Sequence, residues 1–265
     1  MTLVSRILKF TASLLFALLF CVLPASSQIR SWKAVAVKTY PHDTRAYTQG
    51  LFFHEGCLYE STGEYGRSSL RKVDLKSGKV LQESRLERKY FGEGSCVVDD
   101  KIYMLSWQNR LAFVYDARTL VRERMLSYPR EGWGLVTIPE AERHLYAGAV
   151  MVASDGSSNL YFLDRSLRTL FSVKVTIGGR ELRLLNELEW IDGRIWANVY
   201  TTDLIVVIDP RSGRVTDKVD CSGLIPVSKR TPDMDVLNGI AVLDGKIHLT
   251  GKDWPSLFEI VLEKQ

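Results

Sequence analysis

Beyond residue 27 the apolar residues of this chain come in short runs separated by polar turns. No segment there sustains apolar positions at helix spacing over many turns, so the runs predict strands. Five runs open on residues that are polar or aromatic where a core strand should be apolar. They are Gln49-Gly50-Leu51, Glu93-Gly94-Ser95, Trp133-Gly134-Leu135, Asn186-Glu187-Leu188 and Asn238-Gly239-Ile240. A second run follows each, often after a turn such as His54-Glu55-Gly56, Asp99-Asp100, Asp192-Gly193 or Asp244-Gly245. The second runs occupy residues 58–61, 102–105, 145–148, 195–198 and 247–250. Such turns between apolar runs mark hairpins. Third runs end in Asp74, Asp116, Asp164 and Asp209, a residue type suited to capping the turn that follows. A fourth strand then leaves each of these repeats.

The openings are spaced by 44, 40, 53 and 52 residues. A period of that size is the signature of a β-propeller, one four-stranded blade per repeat. The pattern thus predicts an all-β, five-bladed β-propeller with four antiparallel strands per blade. The fifth repeat reaches Gln265 without room for a fourth strand, while residues 32–37 form a strand with no repeat of its own. This N-terminal strand is expected to close the last blade and so remove two open sheet edges.

In a propeller the first strand of every blade lines the central channel, so the five openings must converge. They bring together Gln49, Glu93, Trp133, Asn186 and Asn238. Counting six residues through each second strand gives Gly63, Trp107, Val150, Tyr200 and Lys252, which should rim the same mouth. Tyr47 and Phe91 stand two residues before their openings, in phase with Gln49 and Glu93. The inventory is one carboxylate, one ammonium, several amides and a wall of aromatic rings. A carboxylate among aromatics is suited to proton transfer, because desolvation lifts its pKa toward neutrality. A lysine and amides can stabilise an oxyanion. No Ser-His or Cys-His nucleophile stands at the equivalent positions, so no covalent enzyme intermediate is expected.

Composition narrows the class. The chain has 265 residues, 46% hydrophobic and 25% charged, an ordinary globular balance. The net charge is +4, and Arg6 and Lys9 supply two of those charges. No basic stripe suggests nucleic acid. Residues 1–27 read as a signal peptide: Arg6 and Lys9 as its basic start, residues 10–23 as an apolar stretch short for a membrane span, Ala25 and Ser27 as the small residues before a cut. Cleavage there leaves Gln28 first and a catalytic domain of residues 28–265, exported to a periplasmic or extracellular space and free of the membrane. An uncleaved anchor is the rival reading. Cys57, Cys96 and Cys221 remain, an odd number without metal-ligand spacing, and read as small buried apolar residues, with one disulfide left open. The four histidines show no zinc spacing.

At these residues the sequence resembles the plant-type glutaminyl-peptide cyclotransferases, also called glutamine cyclotransferases. The carriers run from about Tyr47 to Ile260. They are Tyr47-Thr48-Gln49-Gly50-Leu51, Glu60-Ser61-Thr62-Gly63 with Tyr65-Gly66-Arg67-Ser68-Ser69, Gly132-Trp133-Gly134-Leu135, Ser154-Asp155-Gly156-Ser157-Ser158, Leu185-Asn186-Glu187-Leu188-Glu189, Trp196-Ala197-Asn198, Asp235-Val236-Leu237-Asn238-Gly239-Ile240-Ala241 and Thr250-Gly251-Lys252. The resemblance implies a five-bladed propeller that turns an N-terminal glutamine into pyroglutamate and releases ammonia. It implies no catalytic metal; no cofactor is expected for catalysis, and a structural calcium is left open. The expected partners are peptides or proteins with N-terminal glutamine, met by a monomer. By resemblance Glu93 shuttles the proton, Lys252 and Asn186 polarise the γ-amide, and Gln49 positions the substrate. Phe91, Trp107 and Trp133 match the aromatic pocket. Tyr47 and Tyr200 depart from the family pattern, where phenylalanine and tryptophan stand, but remain aromatic.

Two other functions fit parts of the inventory. A calcium-dependent propeller hydrolase of lactonase type could use Glu93, Asn186 and Asn238 as oxygen ligands, but leaves Lys252 beside a divalent cation. A non-catalytic module that binds peptide ends is the second. Within the reading adopted, Asn238, Trp254 and Asp155 are expected to be structural.

Overall fold

The computed structural model describes residues 28–265, and the signal-peptide reading of residues 1–27 lies outside them. The chain is all-β in the manner of a propeller. Three antiparallel sheets have four strands each, in chain order. The first runs Thr48–His54, Cys57–Thr62, Ser69–Val73 and Val80–Arg85. The second runs Gly92–Val98, Lys101–Ser106, Leu111–Asp116 and Arg122–Ser127. The third runs Leu135–Thr137, Met151–Ala153, Asn159–Leu163 and Thr169–Lys174. Two further units, Leu185–Ile191 to Val215–Asp220 and Leu237–Leu243 to Ser256–Lys264, are joined into one eight-stranded sheet by Arg30–Pro41.

That joining strand is longer than expected and has two neighbours. It pairs antiparallel with Ser256–Lys264 from Trp32 to Pro41, which fills the place the last repeat leaves empty. Its first residues, Arg30 to Lys33, also pair in parallel with Asp217 to Asp220. Trp32 Nε1 seals this seam by donating to Asp217 Oδ1 at 2.7 Å. The first strands of the five units pack beside one another in a closed cycle around a common axis. Apolar layers fill the gaps between sheets. One of them gathers Val136, Ile138, Phe162, Ile195, Val206 and Ile208, all buried. The expected aspartate caps form: Asp74 accepts the Ser77 N–H at 2.8 Å and Asp209 that of Ser212 at 2.9 Å.

The third sheet departs from the expected register. Residues 145–148 are not its second strand. Leu145 and Tyr146 end a 3-10 helix, Glu140–Tyr146, and the strand is Met151–Ala153. The helix starts after Pro139, carries Glu140 and Glu142 in its first turn, and stops where Ala147 and Gly148 turn to positive φ. This insertion accounts for part of the 53-residue step. It also removes Val150 from the mouth: Val150 is buried in the core between sheets. A small hairpin, Thr176–Ile177 with Arg180–Glu181, was likewise not foreseen.

Candidate active site

The five openings are not ordinary strand residues. In four first strands the ladder breaks at the opening, between Thr48 and Gly50, Gly92 and Ser95, Leu185 and Leu188, and Leu237 and Ile240. Gln49, Glu93, Asn186 and Asn238 sit in those breaks. A bulge re-aims its side chain and leaves the pairing, which is why a polar residue is tolerated there. Trp133 precedes its strand altogether. The glycine that follows four of the openings serves close packing: a Cβ on Gly94 would meet the Trp133 carbonyl, and one on Gly134 the Asn186 carbonyl.

Three of the openings are anchored by the second strand of the preceding sheet or its extension. Ser61 Oγ donates to the Glu93 carbonyl at 2.7 Å, Ser154 Oγ to the Asn186 carbonyl at 2.7 Å, and Asn198 Oδ1 accepts the Gly239 N–H at 3.1 Å. Ser68 Oγ accepts the Gly92 N–H at 2.9 Å, beside Glu93. The hairpins bring the other candidates alongside. Trp107 N–H bonds the Phe91 carbonyl at 3.0 Å, Tyr200 that of Leu184 at 2.8 Å, and Lys252 that of Val236 at 2.9 Å.

The result is one cavity of about 290 Å³. Tyr47, Gln49, Phe91, Glu93, Trp107, Trp133, Asn186, Tyr200 and Lys252 all line it, together with Glu64. Phe91 meets Trp107 edge-on at 5.6 Å and Tyr47 at 6.0 Å, and Trp133 meets Tyr200 edge-on at 5.5 Å. The Lys252 ammonium lies over two rings, 4.6 Å from Tyr47 and 4.7 Å from Tyr200. Tyr47 is steered by its hydroxyl, which donates to Asp235 at 2.8 Å.

Glu93 is 5% exposed, and its carboxylate has one hydrogen bond, from Gln49 Nε2 at 3.1 Å. Burial pushes its pKa well above the usual carboxylate range; the Lys252 charge pulls it back and Glu131 adds to the rise. Lys252 is 2% exposed, and burial pulls its ammonium down, opposed by Glu93, Asp235 and Glu64. Gln49 is oriented from behind, since Asn238 Nδ2 donates to its Oε1 at 3.3 Å and to the Thr48 carbonyl at 2.9 Å. Asn186 is 3% exposed, and its Oδ1 is a buried acceptor with no partner. A buried polar atom left unpaired costs about 1–3 kcal/mol, so an N–H donor entering the cavity would gain by meeting this one. The site therefore offers a carboxyl raised by burial, a caged lysine and an open amide oxygen within aromatic walls.

The sequence profile described as glutamine cyclotransferase matches residues 12–262. The glutaminyl-peptide cyclotransferase of Arabidopsis thaliana is 38% identical over 237 residues, 86% of this chain and 71% of that protein. The chain belongs to the glutamine cyclotransferase family. The crystal structure of glutaminyl cyclase from Myxococcus xanthus agrees: TM-score 0.80 at 34% identity, over 90% of this chain and all of that one.

Set against the family, the other residues singled out by sequence sort themselves. Trp254 is buried, with its indole N–H on the Asp235 carbonyl at 2.8 Å. Asp155 turns its loop by accepting the Ser157 N–H at 3.0 Å. The three described cysteines are free, and burial pushes Cys96 up to about 12. Among the described residues no group of three or more His, Cys, Asp or Glu side chains could hold a metal ion, and no helix is long and apolar enough to cross a membrane.

Three acids went unread. Glu64 follows Gly63, one step beyond the residue counted. Glu131 stands two residues before Trp133, the position that Tyr47 and Phe91 hold in their repeats. Glu187 replaces the glycine of the other openings. Its carboxylate accepts the N–H groups of Leu51 at 3.3 Å and Ile240 at 2.9 Å, tying three first strands together across the axis.

Proposed function

We propose that this cavity binds an N-terminal glutaminyl residue, closes it to pyroglutamate and releases ammonia. The observation that carries the reading is the orphan Asn186 Oδ1 in one small cavity with Glu93 and Lys252. A γ-amide supplies the N–H that Asn186 lacks, and its carbonyl oxygen faces the Lys252 ammonium. The cavity volume is near the lower bound for ligand pockets, roughly 300 Å³, which suits one folded residue with the rest of the peptide leaving by the mouth.

The chemistry then follows from position. The substrate's α-nitrogen attacks its own Cδ, so the enzyme mainly selects a folded conformer. As the C–N bond forms, Glu93 accepts a proton from the α-nitrogen. Lys252 stabilises the oxyanion on the former γ-carbonyl. Glu93 next gives its proton to the γ-nitrogen, the carbon–nitrogen bond breaks, and ammonia leaves. A carboxyl raised by burial is matched to both halves of that exchange. Gln49 holds Glu93, and the aromatic rings exclude water. No step asks for a metal. The test is ammonia release from a glutaminyl dipeptide in the presence of chelator, with lactones as the alternative substrate. Release from the dipeptide is expected. Lactone hydrolysis abolished by chelator, or dipeptide binding without ammonia, would assign the site to hydrolysis or to recognition alone.

The same reading takes residues 28–265 as one catalytic domain of five blades, supported by the closed cycle of five first strands. It takes the protein as an exported monomer, supported by the basic start and apolar stretch of residues 1–27 and by a ring of first strands that closes without a second copy.

A further inference from the structure

The cavity has two aromatic walls, and one exposed carboxylate joins them. Glu131 Oε2 accepts the indole N–H of Trp107 at 3.0 Å and, by a longer bond, that of Trp133 at 3.4 Å. Trp107 follows the second strand of the second sheet and backs Phe91. Trp133 leads into the third sheet and backs Tyr200, which in turn covers Lys252. Lys252 lies over Tyr47, and Tyr47 meets Phe91 again. The contacts thus close into a loop around the mouth, and Glu131 is the link that is neither an aromatic ring nor the caged lysine. The backbone puts it at a seam. Gly132 N–H bonds the Ser106 and Trp107 carbonyls, both at 3.1 Å, whereas Trp133 N–H bonds the Ser154 carbonyl at 3.2 Å. The segment carrying Glu131 is tied to one sheet and the next residue but one to the other.

We propose that Glu131 is a positioning residue for the cyclisation, its carboxylate clamping Trp107 and Trp133 at the orientation that fits the folded glutaminyl end. The inference rests on the glutaminyl reading of the cavity. The clamp separates into two physical parts. The hydrogen bonds fix the rings, which acts on substrate binding. The negative charge acts on Glu93, whose charged neighbours are Lys252 and Glu131. Lys252 in turn answers to Glu93, Asp235, Glu64 and Asp253. Removing the Glu131 charge removes one push upward on Glu93, so the acid limb of the rate profile moves to lower pH.

Glu131→Ala and Glu131→Gln distinguish the parts. Both are measured with a glutaminyl dipeptide across pH, alongside intrinsic tryptophan emission and its quenching by acrylamide. For Glu131→Ala, KM rises about tenfold, as the loss of a charged hydrogen bond would give. Its kcat changes little, and the indoles become easier to quench. Glu131→Gln keeps an amide oxygen for one indole, so it recovers most of the KM. Its acid limb stays shifted to lower pH, which a purely structural residue would not produce. A Glu131→Ala enzyme with wild-type KM, acid limb and quenching overturns the assignment. A wild-type protein inert toward glutaminyl peptides instead sinks the cyclising reading, and the role of Glu131 with it.

Discussion

Glu60 and Glu93 are both buried carboxylates on strands of neighbouring sheets, 1% and 5% exposed, yet they are held in opposite states. Glu60 is surrounded by charge. Arg71 donates to one oxygen, while His42 Nε2 at 3.0 Å and Thr48 Oγ1 at 2.6 Å reach the other. The His42 ring faces an acceptor on both sides, Glu60 and the Trp254 carbonyl at 2.7 Å, so both nitrogens carry protons. Burial alone would raise Glu60, but the Arg71 and His42 charges outweigh it and hold the carboxyl far below its usual range. Glu93 has one neutral amide as its hydrogen-bond partner, and its cation stands back between two rings. There desolvation wins. Equal burial thus makes a fixed anion in one place and a proton carrier in the other, and the partners decide which.

The sharpest break of that contrast is Glu93→Gln. The amide keeps the shape and the bond to Gln49 but cannot carry a proton, so turnover should fall about 100- to 10,000-fold with the fold intact. Ammonia release and circular dichroism check it. A variant keeping more than half of wild-type activity would move the proton transfer to another group.

Glu60→Gln should do the reverse. It leaves His42 as a buried cation facing an amide and Arg71 with Asp43, 2.8 Å away, as its one remaining carboxylate, and removing one partner of a buried pair costs about 3–5 kcal/mol. Chemical denaturation measures the loss. The remaining folded fraction should keep a near-normal kcat, because Glu60 does not line the cavity. A loss no larger than that of a surface substitution would mean that the charges at Glu60 are not coupled as their distances indicate.

How far these two acids could be told apart in sequence shows what a repeat carries. Glu93 was legible because its position recurs: four other openings fix where it points, and the bulges at Thr48/Gly50 and Gly92/Ser95 are the physical reason that such residues are polar. The same recurrence placed Lys252 and Tyr200 at the mouth, through strands that lie beside the openings. Glu60 gave no such signal, since its partners His42 and Arg71 come from outside its own strand and are spaced by no period. Glu131 could have been found, because it shares the offset of Tyr47 and Phe91, but its significance depends on two indoles from different sheets. Val150 failed for a local reason. A leucine-tyrosine pair inside the Glu140–Tyr146 turn imitates the leucine-tyrosine pair of the first repeat, and only the hydrogen bonds separate them.

Lys252→Met narrows the comparison to the cation that Glu93 lacks at close range. The methionine fills the space between Tyr47 and Tyr200 without charge. Losing one oxyanion donor typically costs about 3–4 kcal/mol, so kcat should fall some hundredfold or more while KM moves little. Steady-state kinetics on one glutaminyl dipeptide suffices. Tenfold weaker binding with unchanged kcat would make Lys252 a residue that holds the substrate rather than one that stabilises charge.

The smallest effect is also the one that tests the physics most directly. A carboxyl raised by folding binds a proton that the unfolded chain has released, so it destabilises the fold as pH climbs from the ordinary glutamate value, about 4.3, toward the raised one. Glu60, lowered by folding, contributes stability above that ordinary value and loses it as pH falls below. His42 is raised, so its contribution is complete below about 6.5 and fades as pH rises through its folded value. Glu93→Gln removes only the first of these three. Its melting temperature should match the wild type near pH 4 and exceed it at pH 7, by about 2–4 °C for each kcal/mol relieved in a chain of this size. A scan of melting temperature against pH for the two proteins decides it. Parallel curves would show that Glu93 is no harder to ionise in the fold than outside it, and the difference from Glu60 would then have to be one of position rather than of charge.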